Sequence, residues 1–188
     1  MVMQNKYNTI QLIVFLFLTG MCTAFSQGKF LTKSGAITFE ASVPSFEEVK
    51  ATNDKVTAII NTETSDIAAL ALVKGFRFKV ALMEEHFNEN YAESHKFPKA
   101  KFSGKIEGYT QDTSDKVQNT VLKGTLTFHG VSKNIETPAV LQQNKERIKL
   151  SAQFKVKPSD FDVEIPSVVS NKLAKEIDIQ LNFSLNPK

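Results

Sequence analysis

Residues 176–185 alternate without a break. Ile177, Ile179, Leu181, Phe183 and Leu185 are apolar, whereas Glu176, Asp178, Gln180, Asn182 and Ser184 are polar. Successive side chains of a strand point to opposite faces, so this pattern sets one face against a core and the other in water. The same period recurs in Ile148–Val156, in Leu122–Phe128, in Ile135–Leu141, in Ala100–Ile106 and in Ile37–Ala41. Val56–Ile60 adds a β-branched run. Ile67–Val73 is apolar on both faces and reads as a strand because Gly75 and Phe76-Arg77-Phe78 come next. About eight strands with one-sided burial close a barrel or form a sandwich.

The connections carry turn chemistry. Pro44 ends the first strand, and Ser45–Asn53 reads as a polar loop or irregular edge. Asn61–Asp66, Thr110–Asn119 and Gln142–Glu146 read as turns, Gly130–Lys133 as a tight turn, and Pro158–Ser170 as an irregular loop. Pro138 argues for an edge or bulge. The period changes once. Met83, Phe87 and Tyr91 recur every four residues, which predicts one short helix near residues 80–91. Phe97-Pro98 is expected to stop it, because a residue before proline is pushed out of the α region. A lone helix among strands reads as the plug or lid of a barrel.

The chain has 188 residues and a net charge of +3, a balance that does not suggest a nucleic-acid or anionic-membrane protein. Fifteen Phe and no Trp suit a large apolar interior as well as an ordinary core. Phe39, Phe102, Phe128, Phe154 and Phe183 fall on the apolar faces of five strands, beside Leu126 and Leu181. If those faces converge, they line one chamber, which is either filled by side chains or open to an apolar ligand.

Catalytic and metal-site motifs are absent from the sequence, and no cofactor is implied. His86, His95 and His129 show no HxH or HxxxH spacing, and His129 reads as the polar face of its strand beside a turn. Glu84 and Glu85 precede His86 and either tune it or belong to a helix face that points at water. Lys96, Lys99, Lys101 and Lys105 form either a solvated face or a transient contact with anionic headgroups.

Glu85-His86-Phe87 in the helix, then Tyr91, Ser94, Lys96-Phe97-Pro98-Lys99-Ala100, Phe102 and Gly104, resemble the signature of the YceI-like family. Gly124-Thr-Leu-Thr-Phe-His-Gly-Val-Ser-Lys133 is similar to its next block, and Ser159-Asp-Phe-Asp-Val163 to its Asp-Phe-Gly-Ile loop with Asp162 in place of Gly. The front departs, since Ser42–Asn53 lacks the family's His-bearing strand and Gly-x-Phe segment. The resemblance implies an antiparallel, lipocalin-like barrel that holds a polyisoprenoid or fatty chain; Met83, His86, Phe87 and Tyr91 fall on the helix that reads as its lid. Three classes stay open: a non-enzymatic lipid carrier, a cofactor-independent enzyme using His86 and Glu85, and a filled structural barrel.

The first 26 residues read as a signal peptide. Lys6 precedes the apolar run Ile10–Leu18, and Ala24-Phe-Ser26 is a small-x-small cleavage site. Met21 stands where a lipoprotein signal needs a small residue before Cys22. Cleavage after Ser26 leaves one domain, residues 27–188, without cysteine and in the periplasm or secreted. N-terminal sequencing of protein from the native host should begin at Gln27; a lipidated Cys22 at the mature terminus would overturn this.

Overall fold

Nine antiparallel strands form one sheet that closes on itself in the computed structural model, which describes residues 28–188. The segment expected to be a signal peptide lies outside the described residues. The strands are β1 (Lys29–Glu40), β2 (Lys50–Asn61), β3 (Asp66–Leu72), β4 (Arg77–Phe78), β5 (Lys99–Glu107), β6 (Val117–Phe128), β7 (Val131–Gln143), β8 (Ile148–Val156) and β9 (Ile177–Pro187). The order is β1-β9-β8-β7-β6-β5-β3-β2-β4, and β1 also pairs with β2. Eight strands therefore make the barrel, and the two-residue β4 is an appendage paired to Ala51 and Thr52 of β2. One short helix, α1 (Ala81–His86), continues into a single wide turn, Phe87–Tyr91, with i→i+5 bonding. The expected mainly-β, lipocalin-like barrel with one short helix is what forms.

Several expected boundaries move, each for a physical reason. β1 begins at Lys29, well before Ile37, because register shifts between Thr32 and Ile37 interrupt its alternation. Lys50–Asn53 belongs to β2 and not to the loop before it. Asn53 points inward, 1% exposed, and its amide donates to the Leu72 carbonyl at 2.9 Å; a satisfied buried amide looks like loop in a sequence. The helix stops at Tyr91, not at Phe97-Pro98. Glu93 turns the chain in the left-handed region at φ 41°, and its carbonyl accepts from the Lys96 and Phe97 amides at 2.8 Å. Pro98 instead leads into β5.

The β6–β7 hairpin is tighter than expected. Its loop is His129-Gly130, with φ of 50° and 79°, the two-residue connection whose twist matches its strands. His129 is thus a turn residue and not part of a strand face. Val131–Lys133 starts β7. Pro138 stands one residue before the β7–β8 ladder begins at Ala139, so Val131–Pro138 runs beside β6 alone. Asp162 takes φ 53°, the left-handed conformation in which the family's Gly would be unstrained.

Burial divides the interior in two. One end is a packed floor, where Ile60, Ile106, Leu122, Leu141, Ile148, Leu150 and Leu185 are 0–2% exposed. The floor takes the C-terminal ends of β2, β5, β7 and β9 and the N-terminal ends of β1, β3, β6 and β8. There Tyr109 donates its hydroxyl to the buried Gln143 amide oxygen, closing the polar periphery of that floor. At the other end the inward residues Phe102, Leu126, Phe128, Phe154 and Leu181 are only half-buried. On the inner face Gly104 lies opposite Gly124 in the β5–β6 ladder, and a Cβ on Gly104 would meet the Gly124 Cα at 2.6 Å. The pair allows the two backbones to approach closely where the wall curves.

Leu141→Ala, in the floor, should cost about 2–5 kcal/mol in urea unfolding. Phe154→Ala removes more atoms, yet should cost less, because one side of its ring faces the hollow half and has fewer packing partners to lose. Equal or larger destabilisation at Phe154 would mean that both halves are packed alike.

Candidate ligand-binding cavity

The half-buried end of the barrel surrounds a cavity of about 550 Å³. Its wall comes from the inward residues of the strands, and its mouth from three irregular segments. These are the 41–49 loop, the β4–α1 region through Tyr91, and the 157–176 loop. The structure brings all seven residues expected to contact lipid to this one cavity: Phe39, Phe102, Leu126, Phe128, Phe154, Leu181 and Phe183. Phe183 differs from the rest. It is 4% exposed and belongs to the packed core, so it forms the floor of the cavity. Met83, His86, Phe87 and Tyr91 line the mouth from the helix side.

The helix is tied down by rings. Phe87 sits 5.1 Å from Phe39, 6.0 Å from Phe76 and 5.3 Å from Phe78, centroid to centroid. Phe39 in turn lies 5.3 Å from Phe76 and 5.6 Å from Phe78. Tilted and edge-on pairs of this kind contribute about 0.5–1.5 kcal/mol each beyond their buried area. Glu84 points away from His86: its carboxylate accepts from Arg77 and from the Phe78 amide, which fastens α1 to β4. Glu84 is therefore a fastening residue and not part of the solvated helix face expected of it. Glu85 is exposed and outside the cavity lining, and no hydrogen bond joins it to His86.

A second clasp holds the far side of the mouth. His129 Nδ1 lies 3.0 Å from the Phe161 carbonyl oxygen and Nε2 lies 2.8 Å from Glu93 Oε2. Both partners accept, so the imidazolium form donates to both and a neutral ring to only one. The clasp joins the β6–β7 turn, the segment after the helix and the 157–163 stretch. Phe97 packs on the same imidazole at 4.5 Å, and Phe161 on Phe128 at 5.9 Å. The hydrogen bond from His129 holds the Glu93 carboxyl below the ordinary glutamate range, helped by Lys96 and His95.

Sequence reasoning missed much of the mouth. Phe76 and Phe78 are legible only as alternation, and their partner Phe87 is close in space because β4 folds back on β2. Phe46, Val163, Ile165, Val169 and Leu173 line the cavity from loops. Among the loop residues, Phe161, Val163 and Ile165 keep a two-residue spacing that could have marked an inward face. His95 is exposed. Among the described residues no three His, Cys, Asp or Glu side chains gather as a metal site. Of the expected basic cluster, Lys105 pairs with Asp66 at 2.7 Å and Lys96 with Glu93 at 3.8 Å, while Lys99 and Lys101 stay exposed.

The model of the YceI-like domain matches residues 17–185. The chain belongs to the YceI-like family. No curated protein sequence matches it significantly. Among solved structures, the fold is similar to a polyisoprenoid binding domain from Saccharophagus degradans implicated in plant cell wall breakdown. That match has a TM-score of 0.72 at 14% identity and covers 86% of this chain and 99% of that one. BcnA from Burkholderia cenocepacia superposes with a TM-score of 0.64 at 15% identity, covering 80% and 95%. The Campylobacter jejuni YCEI protein gives 0.55 at 18% identity, covering 84% of each chain. At these identities the likeness is one of fold. The YceI-like barrel is therefore the shared frame, and the mouth of this cavity has to be read from its own residues.

The Glu93–His129 clasp makes a pH-dependent contribution. Because the Glu93 carboxyl is lowered on folding, its stabilisation is fully present above the unfolded value near 4.5 and fades as pH falls through the folded value. Glu93→Gln should therefore unfold at lower denaturant than wild type at pH 6, with the gap closing toward pH 3. A gap that stays constant over that range would show that ionisation of Glu93 adds nothing.

Proposed function

We propose that this protein binds and carries a single-chain apolar lipid, of the polyisoprenoid or fatty type, without chemical turnover and outside the cytoplasm. The observation that carries this reading is the half-filled barrel: a packed floor beneath an apolar cavity of about 550 Å³ that opens at one end. At roughly 30 Å³ per water-sized group, that volume suits a chain on the order of 18 methylene-sized groups. Each buried CH₂ contributes about 0.8 kcal/mol, against an association cost of roughly 4–15 kcal/mol. A chain shorter than about ten carbons, worth about 8 kcal/mol gross, is therefore held weakly, and a longer one well.

The similar domain from Saccharophagus degradans is described as polyisoprenoid binding, which supports an apolar chain as the ligand class here. The location rests on the apolar run and cleavage site in the first 26 residues. Loading by transient contact with a membrane surface is part of the proposal. Four of the six most exposed large apolar residues described, Phe46, Leu72, Leu82 and Val168, stand at the mouth end. Apolar residues gathered around an opening fit a surface that meets lipid first with its mouth.

Native mass spectrometry of protein purified gently from its own host should find added mass that organic extraction removes. Phe128→Ala should retain less of that lipid, with the circular dichroism of wild type. A bare mass for the wild type, together with failure of delipidated protein to take up any chain of 16–20 carbons, would leave a filled or purely structural barrel.

A further inference from the structure

We propose that the cavity selects lipids with an anionic head, such as a carboxylate or a phosphate monoester, held at its mouth by Lys157 and Lys172. The inference rests on the lipid-carrier reading and names the head that the reading leaves open.

The depth of the cavity excludes a polar head. Below the mouth the wall is aliphatic and aromatic, and its one buried polar side chain is Thr137, 3% exposed. The Thr137 hydroxyl already donates to the Gln153 carbonyl at 2.9 Å. A head group placed there would lose its water without gaining partners. The chain therefore enters tail first and leaves its head at the rim.

The charged groups that line the rim are Glu47, Lys157 and Lys172, with His86 beside them. The 157–176 loop sorts its charges by side. Val163 and Ile165 face the cavity, whereas Asp160, Asp162 and Glu164 are not part of its lining. Asp160 accepts from the Lys157 backbone amide at 3.1 Å, which occupies it in the turn itself. Among the described residues Lys50, Lys96, Lys105, Lys123 and Lys155 each have a carboxylate within ion-pair distance, and Lys157 and Lys172 do not. Two lysines free of ion pairs line the same apolar opening as one glutamate. Their alkyl stems can lie along apolar surface with the ammonium at the water boundary, where the head of a seated chain would stand.

The test uses delipidated full-length mature protein and a fluorescent apolar probe, N-phenyl-1-naphthylamine, displaced by oleate, monooleyl phosphate or oleyl alcohol at pH 8. The three share one chain and differ only in the head. Exposed ion pairs are weak, so we expect oleate and monooleyl phosphate to displace the probe roughly three- to tenfold better than the alcohol at low salt. The preference should shrink at high salt as charges are screened. Lys157→Gln with Lys172→Gln should abolish the preference and leave the affinity for oleyl alcohol within about twofold; Lys→Arg at both positions should restore it. Equal displacement by all three lipids overturns the head-group inference and leaves the carrier reading intact. A preference that survives the double Gln variant overturns the assignment to these lysines. If neither probe nor any of the three lipids binds, the carrier reading falls and takes the inference with it. Binding to anionic vesicles with no lipid extracted would assign the lysines to surface contact instead, and also overturns it.

Discussion

β1 pairs on one side with β2 and on the other with β9, and everything else depends on that double pairing. Without it the sheet has two raw edges and no inside. With it, eight strands fix a circumference, and the circumference fixes an interior just wide enough for side chains or for one small ligand. The chain then has one remaining choice, which is how much of that interior to fill. Here it fills one end with branched residues at almost no exposure, and leaves the same residue types apart at the other.

The wall of the barrel was legible in the sequence because alternation survives wherever one face is buried. Phe102, Leu126, Phe154 and Leu181 announce their inward direction by neighbours alone. The division into floor and cavity was not legible. Phe183 and Phe154 occupy equivalent positions in equivalent patterns, yet one is packed and the other borders open space, since depth along a barrel depends on stagger between strands that lie far apart in the chain. His129 resists placement for a related reason. In Phe128-His129-Gly130-Val131 the period of two runs straight into the turn, and nothing local marks that histidine as having a left-handed backbone. Its carboxylate partner, Glu93, is 36 residues away and itself sits at an unusual backbone angle. The mouth was the least legible part, because loops reach the cavity by packing rather than by periodicity.

Wall and rim accordingly answer to different forces. The wall is held by ladder hydrogen bonds that run from strand to strand around the barrel. The rim is held by a few particular contacts: the Phe39–Phe76–Phe78–Phe87 ring cluster, the Glu84 link to β4, and the two bonds of His129. Each reaches across segments that the strand ladders leave apart. A change at one of these contacts alters the opening without altering the barrel.

The short ladder between β7 and β8 has a mechanical meaning. Only Ala139–Gln143 pairs with Ile148–Ala152, so toward the mouth the two strands diverge with no backbone bonds between them. The Thr137 hydroxyl, which donates to the Gln153 carbonyl, spans the gap in place of a ladder. The β2–β3 ladder is equally short, Thr57–Asn61 against Asp66–Leu70, so toward the mouth the girth of the barrel is set along two lines of the wall by side chains and not by backbone rungs.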